Sequence, residues 1–303
     1  MVTFDLSPSA RALAALSALA VGDAFGSRLA DPDHGGSIPD RIPPWGPWRW
    51  SDDTEMAASV HAEVVRGQGV DPERLAASFV RRHDSGRGYG AGTERLFREA
   101  AGGRELREAA ARAFDGAGSW GNGAAMRVAP LGAYFADDLE RVVEQARVSA
   151  RVTHTHPEAV EGAVAVAVAA ALMARHEWWG PGRFLDRVAE ALEPGPVREG
   201  VRDARALLVS SDPLGAATEL GSGASARAVD TVPFALWVVA RYRGGLESAL
   251  WATVAPGGDM DTTCAIVAGV LGAGSSGAPA SREWSSRVEA LPSWALAGEG
   301  VGL

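Results

Sequence analysis

Two short acidic segments carry the strongest chemical signal in this chain. Trp50-Ser51-Asp52-Asp53-Thr54-Glu55 and Gly257-Gly258-Asp259-Met260-Asp261-Thr262-Thr263 each set two carboxylates beside hydroxyls, where a helical stretch begins. Helix capping accounts for part of this: an Asp or Ser at a helix start accepts from an unpaired amide, and acidic side chains complement the positive end of the dipole. One oxygen per helix meets that need, so the other ligand-type groups are in surplus. Asp52, Asp53, Asp259 and Asp261, with the hydroxyls of Ser51, Thr54, Thr262 and Thr263, make a set of hard oxygen donors suited to Mg²⁺ or Mn²⁺. Four carboxylates packed together repel unless cations neutralise them, so this chemistry requires the two segments to meet in space. The alternative is two separately capped helices that hold no metal.

Three further segments are candidates for binding. Gly118-Ser119-Trp120-Gly121-Asn122-Gly123-Ala124-Ala125-Met126-Arg127 sets three glycines around Ser, Trp and Asn ahead of helix-like sequence. Such a stretch is expected to cradle an anion with backbone amides. Arg87-Gly88-Tyr89-Gly90-Ala91-Gly92-Thr93 has the same character. His154 and His156 flank Thr155 ahead of Pro157 and suit metal ligation, helix capping or phosphate contact. Two histidines with no third nitrogen or sulfur ligand do not make a catalytic zinc site. Cys264, the single cysteine, rules out an intrachain disulfide and sits in an apolar run, where it reads as a small buried hydrophobe.

The elements that must position these groups are helical. The stretches 57–66, 72–82, 94–101, 139–151, 158–175, 197–209, 226–242 and 264–271 combine helix-forming composition with apolar spacings such as Leu139-Val142-Val143-Ala146. Asp71-Pro72 and Ser211-Asp212-Pro213 mark helix starts; Gly67 and Gly102-Gly103 mark ends. Gly162 to Ala174 is apolar on every face, which predicts a helix through the middle of the core. Alternating strand patterns are nearly absent, so the fold class is all-α. Gly221 to Ser225 and Gly274 to Pro279 read as loops. The long irregular segment from Ala30 to Trp50 holds Trp45, Trp48 and Trp50, aromatics that either pin the loop to the core or form a lid over a ligand.

Bulk composition bounds the function. The chain has 303 residues, 47% hydrophobic and 22% charged, with a formal net charge of −9. That composition belongs to a globular protein with a substantial core and excludes a disordered chain. No basic stripe is present, and every cationic side chain other than histidine is an arginine, so bulk nucleic-acid binding is not expected. The apolar stretch Ala12 to Val21 lacks the basic flank of a secretory signal and runs into Gly22-Asp23. Gly162 to Ala174 is shorter than the roughly 20 residues of a membrane span. A cytoplasmic, monomeric protein without membrane attachment is expected.

Taken in order along the chain, the motifs resemble those of the ADP-ribosylglycohydrolases, most closely the subgroup containing the serine-ADP-ribose hydrolase. The resemblance runs through Gly22-Asp23-Ala24-Phe25-Gly26, Ser51-Asp52-Asp53-Thr54, Gly88-Tyr89-Gly90-Ala91-Gly92, Gly118 to Arg127, Thr153-His154 and Gly257-Gly258-Asp259-Met260-Asp261-Thr262. It implies one domain over residues 1–303: an orthogonal helical bundle around a cleft holding two Mg²⁺ or Mn²⁺ ions. The implied metal ligands are Ser51, Asp52, Asp53, Asp259, Asp261 and Thr262, with Ser51 in place of the family's usual Thr. Implied substrate contacts are Gly88, Gly90, Gly92, Gly118, Ser119, Gly121, Asn122 and His154, with Phe114 and Trp120 around adenine.

The implied activity is hydrolysis of the bond joining ADP-ribose to a protein side chain or to a small acceptor such as acetate in O-acetyl-ADP-ribose. Asp53 and Asp261 would steady oxocarbenium-like charge or take a proton from water. The subgroup carries a catalytic Glu after its Gly-Asp-x-x-Gly motif; four residues past Gly26 this chain has Ala30. Asp31, then Asp33 and Asp84, are the carboxylates that stand nearest to replace it. The alternative is a non-catalytic, metal-dependent ADP-ribose-binding protein.

Overall fold

Helix starts in this chain are written by side chains, and most fall where the sequence marks them. Asp71 accepts the amides of Glu73 and Arg74 ahead of Pro72, and Asp212 accepts that of Gly215 ahead of Pro213. His156 accepts the Glu158 amide ahead of Pro157, so it serves as a cap. Gly67 and Gly103 both take up positive φ just past a helix end, as expected.

The computed structural model describes residues 6–31, 33, 35–67, 69–176, 180–274, 280 and 282–296. Among these residues there are sixteen α-helices and no strand, only three isolated bridges. The first eight are α1 Pro8–Ala30, α2 Asp52–Val64, α3 Pro72–Arg82, α4 Ala91–Ala101, α5 Leu106–Arg112, α6 Ala129–Tyr134, α7 Leu139–Ala150 and α8 Pro157–Ala174. The others are α9 Pro181–Glu190, α10 Pro196–Ala206, α11 Pro213–Leu220, α12 Ala228–Tyr242, α13 Leu246–Val254, α14 Met260–Ala273, α15 Arg282–Arg287 and α16 Ser293–Leu296. Most of the expected loop at 274–279 lies outside the described residues, whereas Gly221 to Ser225 is a loop as expected.

Helices α1, α8 and α14 form the middle of the molecule. α1 packs closely along α14, α6 packs against both, and α8 packs against α6 and α14. By length and composition α1 and α8 are apolar enough to cross a membrane, yet most of each is buried inside the fold. α8 is buried on all sides over Gly162 to Ala174, which is the predicted central helix. α1 was not foreseen as a helix by periodicity: it is apolar nearly all round, so no polar face marks its pitch.

Two glycines explain how α1 lies so close to α14. A Cβ on Gly22 would stand 2.3 Å from the Cys264 carbonyl oxygen, and one on Gly26 would stand 2.3 Å from that of Met260. Backbone therefore touches backbone at both positions. The contact brings Asp23, one residue after Gly22, beside the starts of α2 and α14.

Of the three tryptophans in the long loop, two are pins. Trp48 is fully buried against Phe25 and Trp284, and its indole N–H donates to the Pro44 carbonyl at 3.0 Å. Trp50 is buried under the Arg87 guanidinium, which lies 3.4 Å above its ring. Trp45 is exposed and covers Gly35.

Candidate active site

The two acidic segments meet. α2 and α14 present their N-termini to each other, and the pair is seated on Asp23 of α1. Asp23 has no solvent exposure, and its carboxylate accepts the Ser51 amide at 2.9 and 3.0 Å. Oδ2 also accepts the Thr54 amide at 3.1 Å and the Thr54 hydroxyl at 2.5 Å. A buried carboxylate from one helix thus caps another, satisfying amides that would otherwise be orphaned. Ser51, the N-cap residue of α2, donates its hydroxyl to Asp53 Oδ2 at 2.9 Å. Thr262 reaches the same oxygen from α14 at 3.5 Å.

On the other side, Asp259 Oδ2 accepts from the Asn122 side-chain amide at 2.7 Å. Asn122 is itself fixed, donating to Thr231 Oγ1 at 3.0 Å and pairing its backbone amide with the Ala226 carbonyl at 2.9 Å. Gly257 and Gly258 turn the chain into α14 with φ of 73° and 85°, and a Cβ on Gly258 would stand 2.2 Å from the Ser222 carbonyl oxygen. The glycine pair is therefore needed both for its backbone conformation and for the close approach.

The cluster is strained electrostatically. Burial first, then the neighbouring charge of Asp261, pushes Asp23 up to about 7. Burial, followed by Asp23 and Asp261, pushes Asp52 up to about 8. Burial and interaction with Asp261 raise Asp259 to about 7, and Asp53 is pushed well above the carboxylate range by burial and then Asp23. Like charges crowded at low dielectric resist ionising together.

Asp53 Oδ1 is buried and has no hydrogen-bond partner. A buried carboxylate oxygen without a partner is costly, and a divalent cation would satisfy it. No group of three or more His, Cys, Asp and Glu among the described residues converges on one ligating point. Serine and threonine hydroxyls lie outside that grouping, and Ser51 and Thr262 both reach toward Asp53. The donor chemistry fits hard cations.

The cluster forms the floor of a cavity of about 790 Å³. Asp52, Asp53, Asp259, Asp261 and Thr262 line it on one side; Gly88, Gly90, Gly92, Phe114, Ser119, Trp120, Gly121, Asn122 and His154 line the others. These are nearly all the residues singled out in the sequence. At Gly88, Gly90 and Gly92 an added Cβ would meet nothing within 4 Å, so what these glycines keep free is the cavity itself. Gly118 instead packs under Thr155, with 2.0 Å between the Cβ it lacks and the threonine hydroxyl.

Four expectations need correction. Asp31 is exposed at the end of α1, accepts the Asp33 amide at 3.0 Å, and is not among the residues that wall the cavity. Asp33 is likewise exposed. Asp84 caps the turn before Gly88 through the Gly86 amide and also stays outside the lining. The carboxylates stand where a polar loop leaves the core and caps its own turns. Fourth, the anion cradle at Gly118 to Arg127 is smaller than its glycines suggest. The Gly121 amide already donates to Ser119 Oγ, the Asn122 amide to Ala226 and the Gly118 amide to Ala113. Phe114 and Trp120 contact each other with ring centres 4.7 Å apart and planes tilted by 37°, so the faces they offer a base are their outer ones. Both stay half-exposed, and Phe114, Asp115 and Gly116 all adopt positive φ to present the first ring at the cavity.

Over residues 5–298 the chain matches the family model for ADP-ribosylglycohydrolase. The chain belongs to the ADP-ribosylglycohydrolase family. Relatives include ADP-ribosylhydrolase ARH3 of Danio rerio, 28% identical over 289 residues that cover 84% of this chain and 74% of that protein. The human ARH3 is 28% identical over 259 residues, covering 74% and 70% of the two chains. An uncharacterised protein of Archaeoglobus fulgidus is 32% identical over 275 residues, 84% of each. A solved ADP-ribosylglycohydrolase-related protein complex shares the fold, with a TM-score of 0.70, 24% identity and 96% of each chain covered. The acidic floor and the glycine-aromatic walls line one cavity in this fold.

Asp23 and Tyr89 had no individual role in the sequence, and Thr54 was only one hydroxyl of the donor set; the structure ties all three to the acidic floor or the cavity wall. Asp23 is a carboxylate inside an apolar helix, and a buried charge of that kind announces a partner. Thr54 reads as one hydroxyl among several until its bond to Asp23 is seen. Tyr89, between two glycines, donates to Glu55 Oε2 at 2.7 Å and ties the Gly88–Gly92 loop to α2.

Proposed function

We propose that this chain is a divalent-metal-dependent hydrolase that releases ADP-ribose from a modified side chain or from a small acceptor such as acetate in O-acetyl-ADP-ribose. The observation that carries this is the unpartnered, buried Oδ1 of Asp53 at the junction of two helix N-termini, opening on a cavity of nucleotide size. Ser51, Asp52, Asp53, Asp259, Asp261 and Thr262 would hold two Mg²⁺ or Mn²⁺ ions, which supply charge neutralisation and Lewis acidity at the distal ribose.

The chain's own groups do the rest. Asp23 and Asn122 hold Ser51 and Asp259 from behind and stay out of the donor set, since hydrogen bonds already occupy their polar atoms. Asp53 and Asp261 face the ribose and stabilise positive charge that develops at the anomeric carbon as the leaving group departs. Asp53 and Asp261 are also the carboxylates placed to take a proton from the attacking water. Gly88, Gly90 and Gly92 leave room for the ligand's backbone-facing edge, while Ser119, Gly121 and His154 face its diphosphate and distal ribose. The adenine stacks on the open face of the Phe114–Trp120 pair rather than between the rings. The whole chain acts as a single domain, as a monomer in the cytoplasm.

A second reading has one observation in its favour. α1 ends at Ala30, and the carboxylates that follow it lie outside the cavity wall, so ADP-ribose binding without turnover fits equally at that position. Single-turnover assays with serine-, arginine- and acetyl-linked ADP-ribose in Mg²⁺ or Mn²⁺ separate the two. Release of ADP-ribose from any of them establishes the hydrolase. Metal-dependent ADP-ribose binding by calorimetry, with every linkage intact, would establish the binder.

A further inference from the structure

Arg127 is a fully buried cation that forms no ion pair with a described carboxylate. Its guanidinium lies 4.6 Å from the Phe79 ring centre, and Nη1 points at the Met56 sulfur at 3.6 Å. Nη2 donates to the Ser149 carbonyl at 3.2 Å and to Thr153 Oγ1 at 2.9 Å. Thr153, also without solvent exposure, stands 2.7 Å from Nδ1 of His154 through the same hydroxyl. The imidazole then reaches the cavity wall. Its Nε2 lies 3.3 Å from where a Cβ of Gly121 would be and 3.1 Å from that of Gly123, so both glycines make room for the ring's outer edge.

Hydrogen counting fixes the direction of this chain. A guanidinium only donates, so Thr153 Oγ1 must accept from Arg127. The hydroxyl has a single proton of its own, and His154 Nδ1 is the one acceptor placed to receive it. Were Nδ1 protonated, the hydroxyl would face two donors, its own proton would be stranded in the core, and a second N–H would point toward a buried cation. We propose that Arg127 and Thr153 are positioning residues that hold His154 as the neutral tautomer with its proton on Nε2, making His154 a fixed donor to an oxygen-rich ligand in the cavity. Burial first, and then Arg127, hold the imidazole far below its usual protonation range, at about 3, in keeping with a ring that stays neutral. An Nε2–H donor suits a phosphate or ribose oxygen, whereas a ring free to exchange tautomers would present a lone pair to that oxygen part of the time. The ligand half of the proposal rests on the ADP-ribose reading; the tautomer half does not.

The test uses the full-length, ¹⁵N-labelled protein and two-bond ¹H–¹⁵N correlation of its six histidine rings, with His154→Gln to assign the signal. The wild type should show one tautomer at His154, Nε2 protonated and Nδ1 bare. Thr153→Val, which keeps the shape and removes the hydroxyl, should lose that single pattern and weaken ADP-ribose binding by roughly tenfold in calorimetry, while Thr153→Ser retains both. A wild-type signal with the proton on Nδ1 overturns the proposal, whether or not the variants fold. So does a Thr153→Val protein that keeps the Nε2–H pattern. If wild type binds no ADP-ribose, the functional reading fails while the tautomer spectrum still decides the relay.

Discussion

The two halves of the cavity are built on opposite principles. On the acidic floor the ends of the helices are held from behind: Asp23 caps α2, Asn122 grips Asp259, and Gly22 and Gly26 let α1 pack onto α14 backbone to backbone. On the glycine-aromatic side the structure is left open, with Gly88, Gly90 and Gly92 facing empty space and two rings half-exposed, Phe114 on a positive-φ turn. A set of like charges keeps its geometry only when surrounded by obligatory contacts, because repulsion would otherwise spread it. A wall for a large ligand gains from the reverse, since every atom placed there is an atom the ligand must displace. Substitutions should therefore separate the halves: floor changes alter stability, metal response and turnover, and wall changes alter affinity.

The largest effect is expected at Asp53. Asp53→Asn should lower single-turnover release of ADP-ribose by about a thousandfold and abolish the rise in melting temperature given by Mg²⁺ or Mn²⁺. Retention of both would mean that the floor holds no cation. Next comes Gly26→Ala, whose methyl would meet the Met260 carbonyl oxygen; unfolding in urea should show a loss of about 2–3 kcal/mol. An unchanged midpoint would show that the α1–α14 contact is not as close as described.

A pH titration of stability tests the floor as a unit. Asp23, Asp52 and Asp259 have ordinary values of 3.8 and are raised to about 7 or 8 in the folded, metal-free chain. A group that is harder to ionise when folded contributes stability that is complete below its unfolded value and disappears as pH climbs through its folded value. Metal-free protein should therefore weaken between about pH 4 and pH 8 relative to a chain without the cluster, and the increment restored by Mg²⁺ should grow over the same interval. A Mg²⁺ increment that is flat with pH would break the picture of mutually repelling carboxylates.

Smaller effects belong to the wall. Trp120→Ala should weaken ADP-ribose binding by about 1–2 kcal/mol, with stability and metal response kept. Gly90→Ala should change stability least of all, since its methyl would enter open space, yet should lower affinity severalfold by calorimetry. A stability loss there larger than that of Gly26→Ala would reverse the contrast between the two halves.

The chain's own order of residues already determined a good deal. The acidic pairs, their hydroxyl neighbours and the Gly-Gly before Asp259 mark the candidate site, because too many oxygens stand at two helix starts for capping alone. Helices α3, α7 and α8 follow from periodicity, caps and an all-apolar run, since these signals are local to 3.6 residues per turn. Asp71, Asp212 and Gly103 do their work within a few residues of themselves and were legible for that reason. Several things were decided only by the tertiary structure. Asp23 meets Ser51 and Thr54 across 28 and 31 residues, and Asn122 meets Asp259 across 137, separations over which no local pattern carries information. The exclusion of Asp31 from the wall, the contact between Phe114 and Trp120, and the line from Arg127 through Thr153 to His154 belong to the same class. Residue types state which groups can bind a cation, accept a proton or stack on a base; whether they face one cavity depends on long-range packing, which here turns on two glycines where α1 meets α14.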